Sequence, residues 1–209
     1  MKKKIMVLLC GCCIFIGCSK DNDDDEENGG GGGGNQGLSG HYIIKTLELC
    51  PAGTFYFIGF KLSGNLVDHE ISLTMTDTLN SWYLQKTGAD RYMIYAKLGN
   101  QFLLWKQGPE QVALGQTEYL LKLEQVAVLP PSPSAEQQFQ LKENAPANFN
   151  VTAANGWRVK TYTGGRKTPF QCSRTGGPNI RNTTGCIDRL ENEMMQYCFQ
   201  EELVFQKIN

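Results

Sequence analysis

The sequence predicts an all-β domain of three successive groups of about four strands, preceded by a short export segment and a polar tether. Three observations carry that reading. Beyond Leu38 the apolar residues fall in runs of five to eight, enriched in β-branched and aromatic side chains and split by Gly, Asn, Pro and Asp. These runs recur in three groups, each opening on aromatics, turning at Gly or Asn and closing on alternating bulky residues. Long helical periods are missing; only Asp188 to Gln200 reads as a short helix, with Leu190, Met194, Met195 and Tyr197 on one side.

The chain begins with Lys2, Lys3 and Lys4 before an apolar run from Ile5 to Ile16, the basic and hydrophobic parts of an export signal. A spanning helix needs about 20 apolar residues, so residues 1–17 read as a cleaved signal peptide. Phe15-Ile16-Gly17-Cys18 resembles the lipobox of bacterial lipoproteins. That resemblance implies cleavage before Cys18 and acylation of Cys18 with palmitate-like chains. Two or three such chains, at roughly 0.8 kcal/mol per buried CH₂, anchor a protein permanently in a membrane. A plain secreted protein and an uncleaved signal anchor are the alternatives.

Ser19-Lys20-Asp21-Asn22-Asp23-Asp24-Asp25 resembles the export signal of surface lipoproteins from the Bacteroidetes group. The implied location is the outer membrane, lipid-anchored and facing the cell exterior. Asn28 to Gly37 is almost all glycine, a flexible coil spanning roughly 5 to 6 Å times √n. Residues 18–37 thus form a tether, and residues 38–209 the folded domain. The glycine run has neither a preceding strand nor a Gly-Lys-Ser/Thr ending, so it is no phosphate loop.

The full chain carries 20 Lys+Arg and 21 Asp+Glu; without Lys2, Lys3, Lys4, Lys20 and the six acids of the tether, 16 face 15. A nearly neutral domain argues against nucleic acid as a partner, and a monomer is expected. Four cysteines lie in the folded domain: Cys50, Cys172, Cys186 and Cys198. In an oxidising compartment they are expected to form two disulfides. They lack the short paired spacings of a zinc site, and His41 and His69 lie far from them in sequence. No metal and no cofactor is expected.

The first group reads Phe55–Phe60, Asn65–Glu70, Ile71–Thr76 and Ser81–Thr87; the second Arg91–Ala96, Gln101–Trp105, Gln111–Leu114 and Glu118–Glu124. The third reads Asn148–Thr152, Trp157–Tyr162, Pro169–Cys172 and Glu202–Ile208. No group can bury its apolar face alone, so the three must pack about a common axis. This pattern resembles the β-trefoil, and Leu203-Val-Phe-Gln-Lys-Ile208 resembles the last barrel strand of Kunitz-type soybean inhibitors and growth-factor trefoils. Phe139–Glu143 is left over as an extra strand behind a long Pro130-Pro131-Ser132-Pro133 link. Leu38-Ser39-Gly40-His41-Tyr42 is similar to the first strand of lipocalin-like barrels, which with a β-sandwich is the alternative fold.

The trefoil resemblance implies that the first strand, ending near Leu49, lies antiparallel to the last, starting near Glu201. Cys50 would then meet Cys198 and leave Cys172 for Cys186, closing a loop of about 15 residues at roughly 3 kcal/mol. Cys172 with Cys198 stays open as the alternative. Either pairing staples an insertion, residues 173–199, into the third group.

Long loops on rigid scaffolds are where binding concentrates. Arg158, Lys160, Arg166, Lys167, Arg174, Arg181 and Arg189 fall in this neighbourhood, opposed in sequence by Asp188 alone. They form a candidate face for acidic glycans or phosphate groups, against the simpler reading of spread, solvated charges. Arg174 or Arg181 on a constrained loop would also suit a trypsin-like protease. Kunitz-type trefoils inhibit from a loop between the first two groups, however, where this chain has Asp77-Thr78-Leu79-Asn80.

Trp82, Trp105 and Trp157 fall one per group; burial is the simpler reading beside a sugar platform. The chain lacks the Gln-x-Trp of ricin-type sugar-binding trefoils and the Gly-x-Ser-x-Gly of serine hydrolases. His69, between Asp68 and Glu70, reads as a surface residue. With so little raw material for nucleophile, base and orienter, no enzyme is expected. Asp77-Thr78-Leu79 resembles the O-glycosylation site of exported proteins from the same bacterial group, which makes Thr78 the candidate acceptor. The expected role is a non-catalytic cell-surface binding module for a glycan or extracellular protein. The alternatives are a Kunitz-type-like protease inhibitor and a structural component of an outer-membrane complex.

Overall fold

Every described strand pairing of the chain is antiparallel, and the strands join into one 15-stranded sheet that folds back on itself. The structure, a computed structural model, describes residues 38–46, 56–63, 66–72, 80–166, 174–175, 178–183, 185–189 and 195–208. The expected signal, tether and lipidated Cys18 lie outside these residues, as do Cys50, Thr78, Lys167, Cys172 and the expected strand Pro169–Cys172.

The first group comprises β1 (Gly40–Thr46), β2 (Phe57–Ser63), β3 (Leu66–Ser72) and β4 (Ser81–Lys86). The second comprises β5 (Arg91–Leu98), β6 (Gln101–Ala113), β7 (Gln116–Val126), a 3-10 turn at Ala135–Gln137, and β8 (Phe139–Ala145). The third comprises β9 (Asn148–Thr152), β10 (Arg158–Arg166), β11 (Arg174–Thr175), β12 (Asn179–Arg181), β13 (Gly185–Arg189), β14 (Met195–Gln200) and β15 (Leu203–Lys207).

The outer two strands of each group close a circuit: β1 pairs with β4, β4 with β5, β5 with β8, β8 with β9, β9 with β15, and β15 with β1. Within this circuit each strand is paired on both sides, which leaves it no edge to template aggregation. The inner strands form one hairpin per group, β2 with β3, β6 with β7, and β10 with β14.

The period-two rule decides which side chains fill this circuit. In β4, Trp82 and Leu84 are buried while Tyr83 is not; Tyr83 instead stacks outside between His41 (4.3 Å) and Tyr95 (5.4 Å). Inside, Phe60, Trp82, Trp105 and Phe139 form a chain of edge-to-face contacts at 6.1, 5.4 and 5.9 Å, the geometry aromatic quadrupoles prefer. Trp82 Nε1 donates to the Ile58 carbonyl at 2.6 Å, which satisfies its buried polar atom. Burial therefore accounts for Trp82 and Trp105, whereas Trp157 is only partly covered.

Several sequence expectations are corrected. His69 is no surface residue: its ring lies 5.9 Å from Trp82 and 5.6 Å from Trp105, and both ring nitrogens are shut off from solvent. Burial pushes its pKa down to about 3, against a weaker upward pull from the nearby backbone of Lys122 and Gly59. The described residues of Asp188–Gln200 are strand rather than helix: β13 and β14 lie there, joined in register over Gly185–Arg189 and Met195–Phe199. A ladder gives those backbone groups partners that a short isolated helix could not hold.

Gln101–Trp105 and the run from Gln111 to Ala113 belong to a single strand, with Leu114 in the turn beyond it, because the register shift between Gln107 and Glu110 absorbs Pro109, which has no N–H to donate. The described parts of the expected runs Asn65–Glu70 and Ile71–Thr76 likewise join as β3, Leu66–Ser72. Glu118–Glu124 is therefore the inner strand β7, and the leftover Phe139–Glu143 becomes β8, the closing strand of the second group. The proline link leads into it in order: the Ser134 N–H donates to Gln137 Oε1 at 2.8 Å, and Gln137 Nε2 donates to Glu124 Oε2 at 2.5 Å.

Candidate functional site

The third hairpin is widened by β12, which lies between β10 and β7. Along β10 and β12 the partners are Arg158 with Arg181, Val159 with Ile180, and Lys160 with Asn179. Val159 and Ile180 enter the core. By alternation, Arg158, Lys160, Asn179 and Arg181 share the opposite face. A core requirement on one face thus gathers three cations on the other.

The turn before β10 sets the rim of the site. Gly156 has φ +82°, a left-handed conformation that favours glycine. The turn is held by Gly156 N–H to the Ala153 carbonyl (3.0 Å), Ala153 N–H to the Trp157 carbonyl (2.8 Å) and Trp157 N–H to Asn155 Oδ1 (2.9 Å). Trp157 is fixed on one side by Tyr119, edge-on at 5.2 Å. Gly156, Trp157, Arg158, Lys160, Arg181 and Asn182 line a cavity of about 250 Å³.

Two carboxylates hold the cations. Arg181 and Glu118, both fully buried, form an ion pair. Glu118 Oε1 also accepts from Gln111 Nε2 (2.5 Å) and Asn179 Nδ2 (3.2 Å), while Arg181 reaches the Ala113 carbonyl at 3.4 Å and covers the Phe199 ring at 4.4 Å. Glu201 accepts from Arg158 at 2.8 Å and lies 3.6 Å from Lys160 Nζ. Lys160 also donates to the Thr183 carbonyl. Burial pulls the Lys160 ammonium below its usual range; Glu201 opposes this, and Arg158 and Arg181 add to it. The three cations and two carboxylates leave one positive charge, suited to an anion.

Of the sequence-predicted binding residues, Arg158, Lys160 and Arg181 meet at this cavity. Arg166 and Arg189 occupy register positions on either side of Met195, and Arg174 is the partner of Gly164. The expectation that Asp188 alone opposes the basic cluster is corrected, since Glu118 and Glu201 do so. Those two, with Trp157 and Asn182, were missed as site residues. Glu118 lies far from β10 in sequence, and only the pairing of β12 with β7 brings it close. Cys186 and Cys198 are register partners across β13 and β14.

No family model and no curated protein matches the chain. Two solved structures are similar at 12% identity. One is a mosquitocidal holotoxin (TM-score 0.45), matched over 82% of this chain, which spans 18% of the toxin's length. The other is the designed 3-fold symmetric protein ThreeFoil (TM-score 0.43), matched over 77% of this chain and 97% of its own.

Proposed function

We propose that the chain is a non-catalytic binding module: a β-trefoil domain, lipid-anchored through Cys18 and carried on a glycine leash outside an outer membrane, that recognises an acidic glycan. The recognition step rests on one observation, the cavity in which Trp157 adjoins Arg158, Lys160 and Arg181. An apolar ring face beside convergent donors is the common form of a small-ligand site. The trefoil reading is supported by the closed circuit of six strands with one hairpin per group. The anchor rests on Phe15-Ile16-Gly17-Cys18 and the acidic run behind it.

A protease inhibitor would have to rely on Arg174, because Arg181 is buried and held by Glu118. The glycan reading is tested on an array of acidic and neutral polysaccharides, using the full chain and Arg158→Gln. Retention of acidic glycans that weakens in the variant supports it; retention of none refutes it. Labelling with a palmitate analogue, abolished by Cys18→Ala, tests the anchor.

A further inference from the structure

We infer that the cavity takes a single monoanionic sugar residue of the uronic-acid type, its ring against Trp157 and its carboxylate at the open edge of Arg158 above Lys160. This rests on the glycan-binding reading and narrows it to one residue in one pocket. Size, charge and donor geometry each bear on it.

The cavity, about 250 Å³, is smaller than the roughly 300–1,000 Å³ of pockets for drug-sized ligands. It suits one pyranose ring. An extended sulfated chain would need an open stripe of cations. The charges around it are Arg158, Lys160 and Arg181 against Glu118 and Glu201. A monoanion balances the remaining positive charge, whereas a phosphomonoester, with about −1.5 to −2 charges, would overshoot it. A neutral sugar would leave that charge uncompensated in a partly dry site.

The donors are graded by depth. Arg181 is committed to Glu118 and the Ala113 carbonyl and forms the floor. Lys160, also buried, has the Thr183 carbonyl and Glu201 as acceptors and one further N–H. Arg158 is the open one: its side chain is 43% exposed, and the described contact to Glu201 uses only Nη1 of its five-donor fork. Trp157 lines the same cavity, and Asn182 adds an exposed amide for ring hydroxyls.

The test titrates the full chain with glucuronate, glucose and acetate, by calorimetry and by ligand-observed NMR of contacts between sugar protons and the indole. Glucuronate should bind at least about tenfold more tightly than glucose or acetate, the scale of one charge-assisted hydrogen bond. Arg158→Gln and Trp157→Phe should each weaken it. Arg158→Gln changes an exposed side chain and so keeps the fold intact for comparison, while the NMR contacts need no variant.

Acetate binding as tightly as glucuronate, or glucose doing so, would overturn the inference. An acidic polysaccharide that binds while glucuronate does not, with Trp157→Phe unchanged, would also overturn the pocket yet leave the binding-module reading standing. Failure of every saccharide would remove both.

Discussion

Arg158 and Arg181 stand directly opposite each other in the β10–β12 ladder. Like charges in that relationship destabilise a sheet. They persist because each faces a different carboxylate: Glu201 takes Arg158, and Glu118 takes Arg181. The two adjacent cations are thus flanked by one carboxylate on each side.

The two carboxylates differ in burial, and the consequences differ accordingly. Glu118 and Arg181 are both fully buried, and removing one partner of a buried pair strands the other charge at a cost of about 3–5 kcal/mol. Glu118→Gln should lower stability by that amount in chemical denaturation. The double variant Glu118→Leu with Arg181→Met should recover most of it, since a well-packed apolar pair commonly matches a buried ion pair. A double variant as unstable as the single one would contradict this account.

Glu201 is about one-third exposed, its side chain at 31%. Its pair with Arg158 contributes only about 0–1 kcal/mol to folding, so Glu201→Gln should scarcely move the denaturation midpoint. It removes one of the two negative charges beside the cavity, so affinity for a small anion should rise about three- to tenfold. Because Glu201 also helps Lys160 keep its proton, the titration belongs at mildly acidic pH. Unchanged or weaker anion binding would mean that Arg158 is not the open donor.

His69 makes stability depend on acid. Its folded pKa is depressed to about 3 from the ordinary 6.5, so the folded state resists a proton that the unfolded chain accepts. The stabilisation is complete above about 6.5 and is lost as pH falls toward about 3, at up to about 1.4 kcal/mol per pH unit. Among the described residues, Asp68 is exposed beside the ring in β3 and Lys122 approaches through its backbone. His69→Phe should flatten the acid limb of stability against pH. An acid limb of equal slope in the variant would place the titrating group elsewhere.

At the tip of the β6–β7 hairpin, Leu114 and Gly115 both adopt positive φ, 54° and 71°. A two-residue turn with that twist matches the strands it joins, but leucine is a poor occupant of its first position. Leu114→Asn should raise stability by about 0.5–1 kcal/mol. Thermal unfolding measures this, and a lowered midpoint would show that the leucine packs to advantage.

The β character of the chain was legible because alternation and turn residues are local signals. β4, β5, β9 and β15 fall within about a residue or two of the runs that predicted them. β8 was misassigned because the proline link before it reads as an interruption, although a 3-10 turn docks that link onto β7 through Gln137 and Glu124. β13 and β14 were misread because Leu190, Met194 and Tyr197 satisfy a helical spacing by coincidence. Arg158 and Lys160 were legible as neighbours on one strand. Glu118 was not, because its role depends on a strand pairing between distant parts of the chain.

The cysteines divide along the same line. The trefoil resemblance implied Cys50 with Cys198 and Cys172 with Cys186. The β13–β14 register instead makes Cys186 the direct partner of Cys198. Opposed Cα atoms in an antiparallel ladder lie about 4.5–5.5 Å apart, within the 4.4–6.8 Å that a disulfide spans. That register makes a Cys186–Cys198 bond a competitor to the pairings that the resemblance implies, and it would leave Cys50 for Cys172. Peptide mapping of the unreduced protein decides between the pairings. A fragment joining Cys186 to Cys198 would staple only the local ribbon, so Cys186→Ser with Cys198→Ser should cost less than removing the longer Cys50–Cys172 closure. A fragment joining Cys50 to Cys198 would restore the pairing implied by the resemblance and contradict the register argument.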